Sequence, residues 1–229
     1  MERGENMESL LLGVAALSFL HKEDFPVLES LLAENEDDAA RKAAEIGFPV
    51  TLKPSSPDVI HKTETGGIRV SLRDEAEVRQ AFREIVATFT SNLPEKRLDG
   101  VIVQKQGSGV EVIVGMLRDQ QFGPVLMFGL GGIFVEAMKD VSFRLIPIEK
   151  ADAKDMMEEL RNYSVLKNPR SGLVNLRAVG NLLIHSSAFV TNHPEIREMD
   201  LNPVFVSSHG VRICDARIMV HSNKDNVKD

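Results

Sequence analysis

Hydrophobic and polar positions divide this chain into helical stretches separated by short apolar runs. Residues 10–20 are almost continuously apolar and read as a mostly buried helix. After Phe25-Pro26-Val27, a short extended segment to about Ala33 precedes a second helix over 36–46. That helix ends at Gly47, the residue type favoured just past a helix C-terminus. Residues 50–53 form a strand, a polar loop follows, and 68–72 return as a second strand. Asp74, with Glu77 three residues later, opens a helix whose apolar face is Val78, Phe82, Ile85, Val86 and Phe89. A polar break over 91–99 closes a first α+β lobe, so the expected division is 1–103 and 104–229.

The second half begins around the strand 100–104 and turns at Gly107-Ser108-Gly109 into a longer strand over 110–117. Alternation along it puts Glu111, Ile113, Gly115 and Leu117 on one face, where Glu111 is either a ligand to something polar or a rim charge. A strand over 125–128 leads to Gly129-Leu130-Gly131-Gly132. Helices are expected over 151–161 and 175–191, and two strands over 204–207 and 211–215 close the chain around His209-Gly210.

Composition narrows the class. Hydrophobic residues make up 43% and charged residues 27% of 229, the balance of a soluble globular protein. A net charge of −7 argues against a broad nucleic-acid-binding surface, so any polyanion must be held by locally gathered cations. The single Cys214 excludes an internal disulfide framework and a cysteine-rich zinc site, and suits a reducing cytoplasm. The apolar run over 10–20 is preceded by Glu2, Glu5 and Glu8 where a signal peptide carries positive charge, and it is too short to span a bilayer. The expectation is a cytoplasmic protein with no membrane partner.

Several common chemistries are missing. Phe134 stands where the third glycine of a dinucleotide fingerprint belongs, no glycine-rich stretch ends in Gly-Lys-Ser/Thr, and neither His-Glu-x-x-His nor Gly-x-Ser-x-Gly occurs. Two segments carry more. In the loop after Lys53, the adjacent His61-Lys62 pair precedes Gly66-Gly67; a strand-end lysine supplies a fixed charge, glycine amides approach anions closely, and a histidine can accept a phosphoryl group. The same segment is also what a solvated hairpin loop looks like. Near the C-terminus, a turn centred on Ser208-His209 places Asn202 directly opposite Asp215, with Asp200 on the same face. An amide oxygen and one or two carboxylates suit Mg²⁺ shared with substrate phosphates, although Asn202-Pro203 is also a simple turn signal.

Taken together, these segments resemble the ATP-grasp (β) subunit of ADP-forming acetyl-CoA synthetases, and more distantly the β subunit of succinyl-CoA synthetases. The matching blocks run in order from Gly47-Phe48-Pro49-Val50 through Lys53, Ser56-Pro57-Asp58-Val59-Ile60-His61-Lys62 and Gly66-Gly67-Ile68. They continue with the stretch 109–115, Arg118-Asp119, Phe122-Gly123-Pro124, the stretch 129–136, Arg144, Asp200-Leu201-Asn202-Pro203 and Asp215-Ala216-Arg217. Two places depart: Pro54 follows Lys53 where the family has a small aliphatic residue, and 168–172 is a looser version of an Arg-Gly-rich stretch.

The resemblance implies an α+β, ATP-grasp fold whose two lobes clamp ATP or ADP. Lys53 and Lys62 with Gly66-Gly67 would hold phosphates; Gln104, Lys105 and Gln106 would border the adenine; Glu111 would accept from the ribose. Asn202 and Asp215, with Asp200 beside them, would hold Mg²⁺. Arg144 and the Gly131-Gly132 amides would face the migrating phosphoryl, and His61 would relay it. Lys53, Lys62, Arg118 and Arg144 are the cations in the matched segments. The implied reaction converts an acyl-CoA, ADP and phosphate into carboxylate, CoA and ATP through a phosphohistidine, with acyl-CoA chemistry on a CoA-binding α subunit in a hetero-oligomer. A non-catalytic nucleotide-sensing module of an acyltransferase, and a carbon–nitrogen ATP-grasp ligase, are the other readings; neither gives a reason for His61-Lys62.

Overall fold

A computed structural model describes residues 7–59, 67–132, 140–167 and 173–222. In chain order its elements are β1 (Met7–Leu12), α1 (Gly13–Lys22), β2 (Ser30–Ala33), α2 (Glu36–Ile46), β3 (Val50–Ser55), β4 (Arg69–Leu72), α3 (Glu75–Asn92) and β5 (Gly100–Lys105). Next come β6 (Val110–Asp119), β7 (Gly123–Leu130), β8 (Val141–Leu145), α4 (Lys150–Glu158), α5 (Ser164–Lys167), α6 (Leu176–Asn192), β9 (Ile196–Ser207), β10 (Gly210–Ile213) and β11 (Ala216–Ser222).

The chain divides into two units, Leu28–Gly107 and a larger one joining Met1–Val27 to Ser108–Asp229. This differs from the expected division at 103/104 in two ways. Residues 10–12, expected as helix, belong to β1, which pairs antiparallel with β11 from Met7↔Ser222 to Leu12↔Arg217 and so carries α1 into the larger unit. And β5, expected to start the second half, is the inner strand of the smaller sheet, between β2 and β3; its Val101, Ile102 and Val103 are all buried, as a strand covered on both faces requires.

In the smaller unit the antiparallel order is β2-β5-β3-β4. Helix α2 starts on Asn35, whose Oδ1 accepts the Asp38 N–H at 2.9 Å, and Glu36, Asp37 and Asp38 place negative charge on its first turn. It ends where Gly47 takes φ 81°, a conformation open chiefly to glycine. Ala39, Ala40 and Ala43 let α2 lie close against the sheet, and with Val78, Ala81, Phe82 and Ile85 of α3 they bury Val50, Leu52, Val101 and Val103. Helix α3 begins as expected: Asp74 Oδ1 accepts the Glu77 N–H at 2.8 Å, while the Glu77 carboxylate reaches back to the Arg73 N–H at 2.7 Å.

The larger unit has the described strand order β1-β11-β9-β6-β7-β8, with β10 also paired to β9. One face carries Val112, Val114, Met116, Leu126, Phe128, Met199, Leu201, Val204, Val206 and Ile218. These join Ala16, Leu17 and Leu20 of α1, Ala153, Met156 and Met157 of α4, and Val179, Leu182, Leu183 and Phe189 of α6 in one core. Strand alternation therefore turns the intervening positions, Glu111, Ile113, Gly115 and Leu117 among them, to the other face. No described helix is long and apolar enough to cross a membrane.

Asp140, 6% exposed, anchors the turn after α4: it accepts the Arg161 N–H at 2.8 Å, the Asn162 N–H at 2.9 Å and the Asn162 side-chain amide at 3.1 Å. Burial alone would raise its carboxyl, but these donors outweigh it and hold the pKa below the ordinary 3.8. A depressed folded pKa means that the stabilisation is complete above the ordinary value and declines as the pH falls beneath it. Asp140→Ala is expected to lose about 2 kcal/mol at neutral pH, the scale of buried amides left unpaired. Its deficit against the parent should shrink once the pH drops below 3.8, as denaturant titrations from neutral to acid pH would show.

Candidate nucleotide site

The site residues of the larger unit are set by the register of one hairpin. Strands β9 and β10 pair as Gly210↔Ser207 through Ile213↔Val204, and β9 and β11 continue the same register at Ala216↔Leu201 and Arg217↔Asp200. Between them the Asn202 N–H donates to the Asp215 carbonyl at 3.1 Å, and the Cys214 N–H to the Pro203 carbonyl at 2.9 Å. Asn202 thus lies opposite Asp215, as the turn at Ser208-His209 requires. On the other side of β9, Val112 pairs with Val204 but Val114 with Leu201, so Asn202-Pro203 is a bulge facing Ile113.

Reading across the strands gives ordered rows on the face turned away from the core. Glu111 lies beside Phe205 and Arg212; Ile113 beside the Asn202-Pro203 bulge; Gly115 beside Asp200 and Arg217; Leu117 beside Glu198 and Met219. Asp200 is exposed, yet desolvation by surrounding atoms raises its pKa; the Arg217 charge opposes that shift and the neighbouring Asp215 charge adds to it. Two carboxylates that repel each other, next to an amide oxygen, are a donor set suited to a hard divalent cation. Among the described residues no group of three or more His, Cys, Asp or Glu could hold a metal, so further ligands would come from water or a substrate.

Glu111 meets the glycine turn at the other end. Its carbonyl accepts the Gly131 N–H at 2.6 Å, and a Cβ on Gly131 would sit 2.9 Å from the Glu111 carbonyl carbon, which only glycine avoids. At Gly132 (φ 80°) a Cβ would stand 3.4 Å from the Glu111 carboxylate. The Gly131 amide is therefore already engaged with the Glu111 carbonyl, a contact that the expected role of the Gly131-Gly132 pair did not include.

Two of the cations in the family-like segments have partners of their own. Arg144 shares the helix-packed face with Ser142: it pairs with Leu126, and Ser142 with Phe128, both core residues. Its guanidinium makes a two-pronged bond to Glu159 at 2.9 and 2.5 Å, which raises its pKa. Arg118, on the same face as Met116, donates to the carbonyls of Ile196 at 3.1 Å and Val190 at 3.3 Å, tying β6 to the end of α6. Both cations brace helices. Arg217 instead lies on the face of Asp200; its Nη2 is 3.4 Å from Glu198, and its buried Nε has no hydrogen-bond partner. Its alternation with the apolar Ala216 and Ile218 is the signal that could have singled it out.

In the smaller unit Lys53 is 4% exposed, opposite Ile102, and lies on the face turned away from Leu52 and the core. Gln104 shares that face, buried, its Nε2 donating to Ser30 Oγ at 2.7 Å. Lys105 does not: its ammonium donates to the Gly47 and Phe48 carbonyls at 2.7 and 3.1 Å, capping the C-terminal end of α2. Gln106 Oε1 accepts from Thr51 Oγ1 at 2.7 Å and the Ser71 N–H at 3.0 Å, joining β3 and β4. The side chains of Lys105 and Gln106 thus hold the fold. Gly67 is described and buried; His61, Lys62 and Gly66 lie outside the described residues.

Comparison with known proteins gives the family. Residues 3–220 match the ATP-grasp domain model. The chain is 43% identical to the β subunit of acetate–CoA ligase [ADP-forming] I of Pyrococcus furiosus, covering 85% of each chain. It spans only 30% of the single-chain acetate–CoA ligase [ADP-forming] I of Archaeoglobus fulgidus, at 42% identity over 86% of this chain. Among solved structures, that of acetyl-coenzyme A synthetase 1 of Ca. Korarchaeum cryptofilum with coenzyme A and Ca-AMPCP matches with TM-score 0.88 and 44% identity, covering 92% of this chain and 93% of that one. A second structure of that protein, with coenzyme A, Mg-AMPPCP and a phosphohistidine segment pointing towards the nucleotide binding site, matches with TM-score 0.79 and 41% identity over 92% of each chain. This chain belongs to the ATP-grasp domain family and, within it, to the group of ADP-forming acetate–CoA ligase β subunits.

Proposed function

We propose that the chain is the nucleotide-binding β subunit of an ADP-forming acyl-CoA synthetase, acting in the cytoplasm with a CoA-binding α subunit in a hetero-oligomer. The net reaction is acyl-CoA, ADP and phosphate to carboxylate, CoA and ATP. The observation that carries this reading is the opposition of Asn202 and Asp215, with Asp200 and Arg217 in the next row, in a chain matching a β subunit of this ligase class over 85% of its length.

Each residue then has a task. Asn202 and Asp215, with Asp200 beside them, hold Mg²⁺; the bound ion neutralises charge on the transferring phosphoryl group. Lys53 supplies a fixed positive charge to the phosphates, with Lys62 and the Gly66-Gly67 turn. Glu111 accepts hydrogen bonds from the ribose hydroxyls, and Gln104 with the backbone of Lys105 and Gln106 borders the base. In the transfer itself the N–P bond of a phosphohistidine breaks as a terminal oxygen of ADP forms the new O–P bond, and the imidazole keeps the electron pair. The protein's work is positioning and charge neutralisation more than covalent chemistry. His61 is the relay on this chain.

Isothermal titration of the whole chain with ADP tests the nucleotide assignment. Binding is expected to tighten at least tenfold when Mg²⁺ is added, about 1.4 kcal/mol. No ADP binding, or binding indifferent to Mg²⁺, would remove it.

A further inference from the structure

One part of the larger sheet is left unused by this nucleotide chemistry. On the same face as Asp200, but toward β8, the register lines up Leu117, Val125 and Leu145 in one cross-strand row. Gly115, Met127 and Phe143 form the next. Leu117, Phe143 and Leu145 are 54%, 55% and 56% exposed, and Phe122 in the β6–β7 turn is 68% exposed. The outward positions of β9 and β11 in these rows carry Glu198, Asp200 and Arg217, with the half-buried Met219 at one end, so the well-exposed apolar side chains gather on the β6–β8 side. Strand positions facing water are usually polar, and a contiguous exposed apolar patch of this kind marks an interaction surface.

We infer that this apolar face of β6, β7 and β8 is where the CoA-binding subunit docks, presenting an apolar surface around the segment that carries its phosphorylated histidine. The inference rests on the function proposed above. A phosphoryl group borne by another polypeptide has to reach Asn202 and Asp215. The opposite face of their sheet is filled by the core that α1, α4 and α6 build, which leaves the face of Asp200 for the approach. The apolar rows start beside that residue: Gly115 pairs with Asp200 on one side and with Met127 on the other. Burying aromatic and aliphatic anchors at the centre of a contact is what gives such an interface most of its affinity.

The test uses the full chain and the CoA-binding subunit of the same organism, with assembly followed by sedimentation. Phe143→Ser combined with Leu145→Ser, and separately Phe122→Ser, change exposed positions outside the nucleotide machinery. ADP affinity of each variant, expected within twofold of the parent, shows that the fold is intact. Assembly is expected to weaken at least tenfold in the double variant and measurably in Phe122→Ser. Assembly within twofold of the parent overturns the inference while leaving the proposed function standing. So does loss of self-association by the variants with partner binding unchanged, which would give the face to a second copy of this chain. A parent chain that binds Mg-ADP but assembles with no CoA-binding subunit overturns the proposed function and this inference together.

Discussion

His61→Asn is expected to abolish ATP synthesis by the assembled enzyme while leaving ADP affinity within about 1 kcal/mol, the scale of one hydrogen bond. A neutral imidazole is nucleophilic near pH 7, and the adjacent Lys62 carries charge that would neutralise a phosphoryl group on it. Asparagine keeps a hydrogen-bonding side chain of similar reach but cannot form the N–P bond. An acid-labile phosphohistidine on this chain, detected after incubation with ATP, should disappear in the variant. Retention of most of the parental turnover would reduce His61 to a residue that orders its loop or touches ATP.

Asp215→Ala and Asn202→Ala are expected to lower turnover about 100- to 1,000-fold, the range found when one group is removed from the charge-stabilising apparatus of an active site. Folding should change little, because Asn202 is exposed and the strands on either side are held by their own backbone pairing. What should vanish is the gain in ADP affinity on adding Mg²⁺. Because Asp200 and Asp215 lie close enough for their charges to oppose each other, removing Asp215 also relieves Asp200. Metal-free ADP affinity is therefore expected to hold or rise in Asp215→Ala while the Mg²⁺ effect is lost. Variants that keep the full parental Mg²⁺ enhancement would place the metal elsewhere.

These contrasting outcomes reflect what a sequence can and cannot carry. Helices α2 and α3 were legible because their stop and start signals are local: Gly47 after α2 and the Asp74 cap before α3 are read within a few residues of the elements they bound. The opposition of Asn202 and Asp215 was legible for the same reason, since a two-residue turn fixes hairpin register. Lys53 was legible as a charge on an apolar strand, although the strand runs on through Pro54 to Ser55 instead of ending at the lysine. The placement of 7–12 was not, because an apolar run of that length suits helix or strand and its partner β11 lies two hundred residues away in sequence. Nor was the first half of β9, where the open face carries Glu198 and Asp200 among core residues and reads as a polar segment.

Cations were the least legible part of the site. Arg118 and Arg144 fall in segments shared with the family, but which face of a strand they occupy depends on which neighbours are buried. Here Met116 and Ser142 place both against helices, where Glu159 and backbone carbonyls satisfy them. Arg217 lies on the face of Asp200 for the same reason with the opposite parity, since Ala216 and Ile218 turn inward. The glycines behaved similarly: Gly131 is demanded by its close contact with Glu111, which lies on another strand.

The central claim is that this chain completes ATP synthesis only together with a CoA-binding subunit. The direct measurement is ATP formation from acetyl-CoA, ADP and phosphate by the pure chain, by the CoA-binding subunit and by the two combined, with Mg²⁺ present throughout. Sustained ATP production by the combination, and none above background by either component, is the predicted result. Steady ATP production by this chain alone, or none by the combination with any acyl-CoA offered, would contradict it.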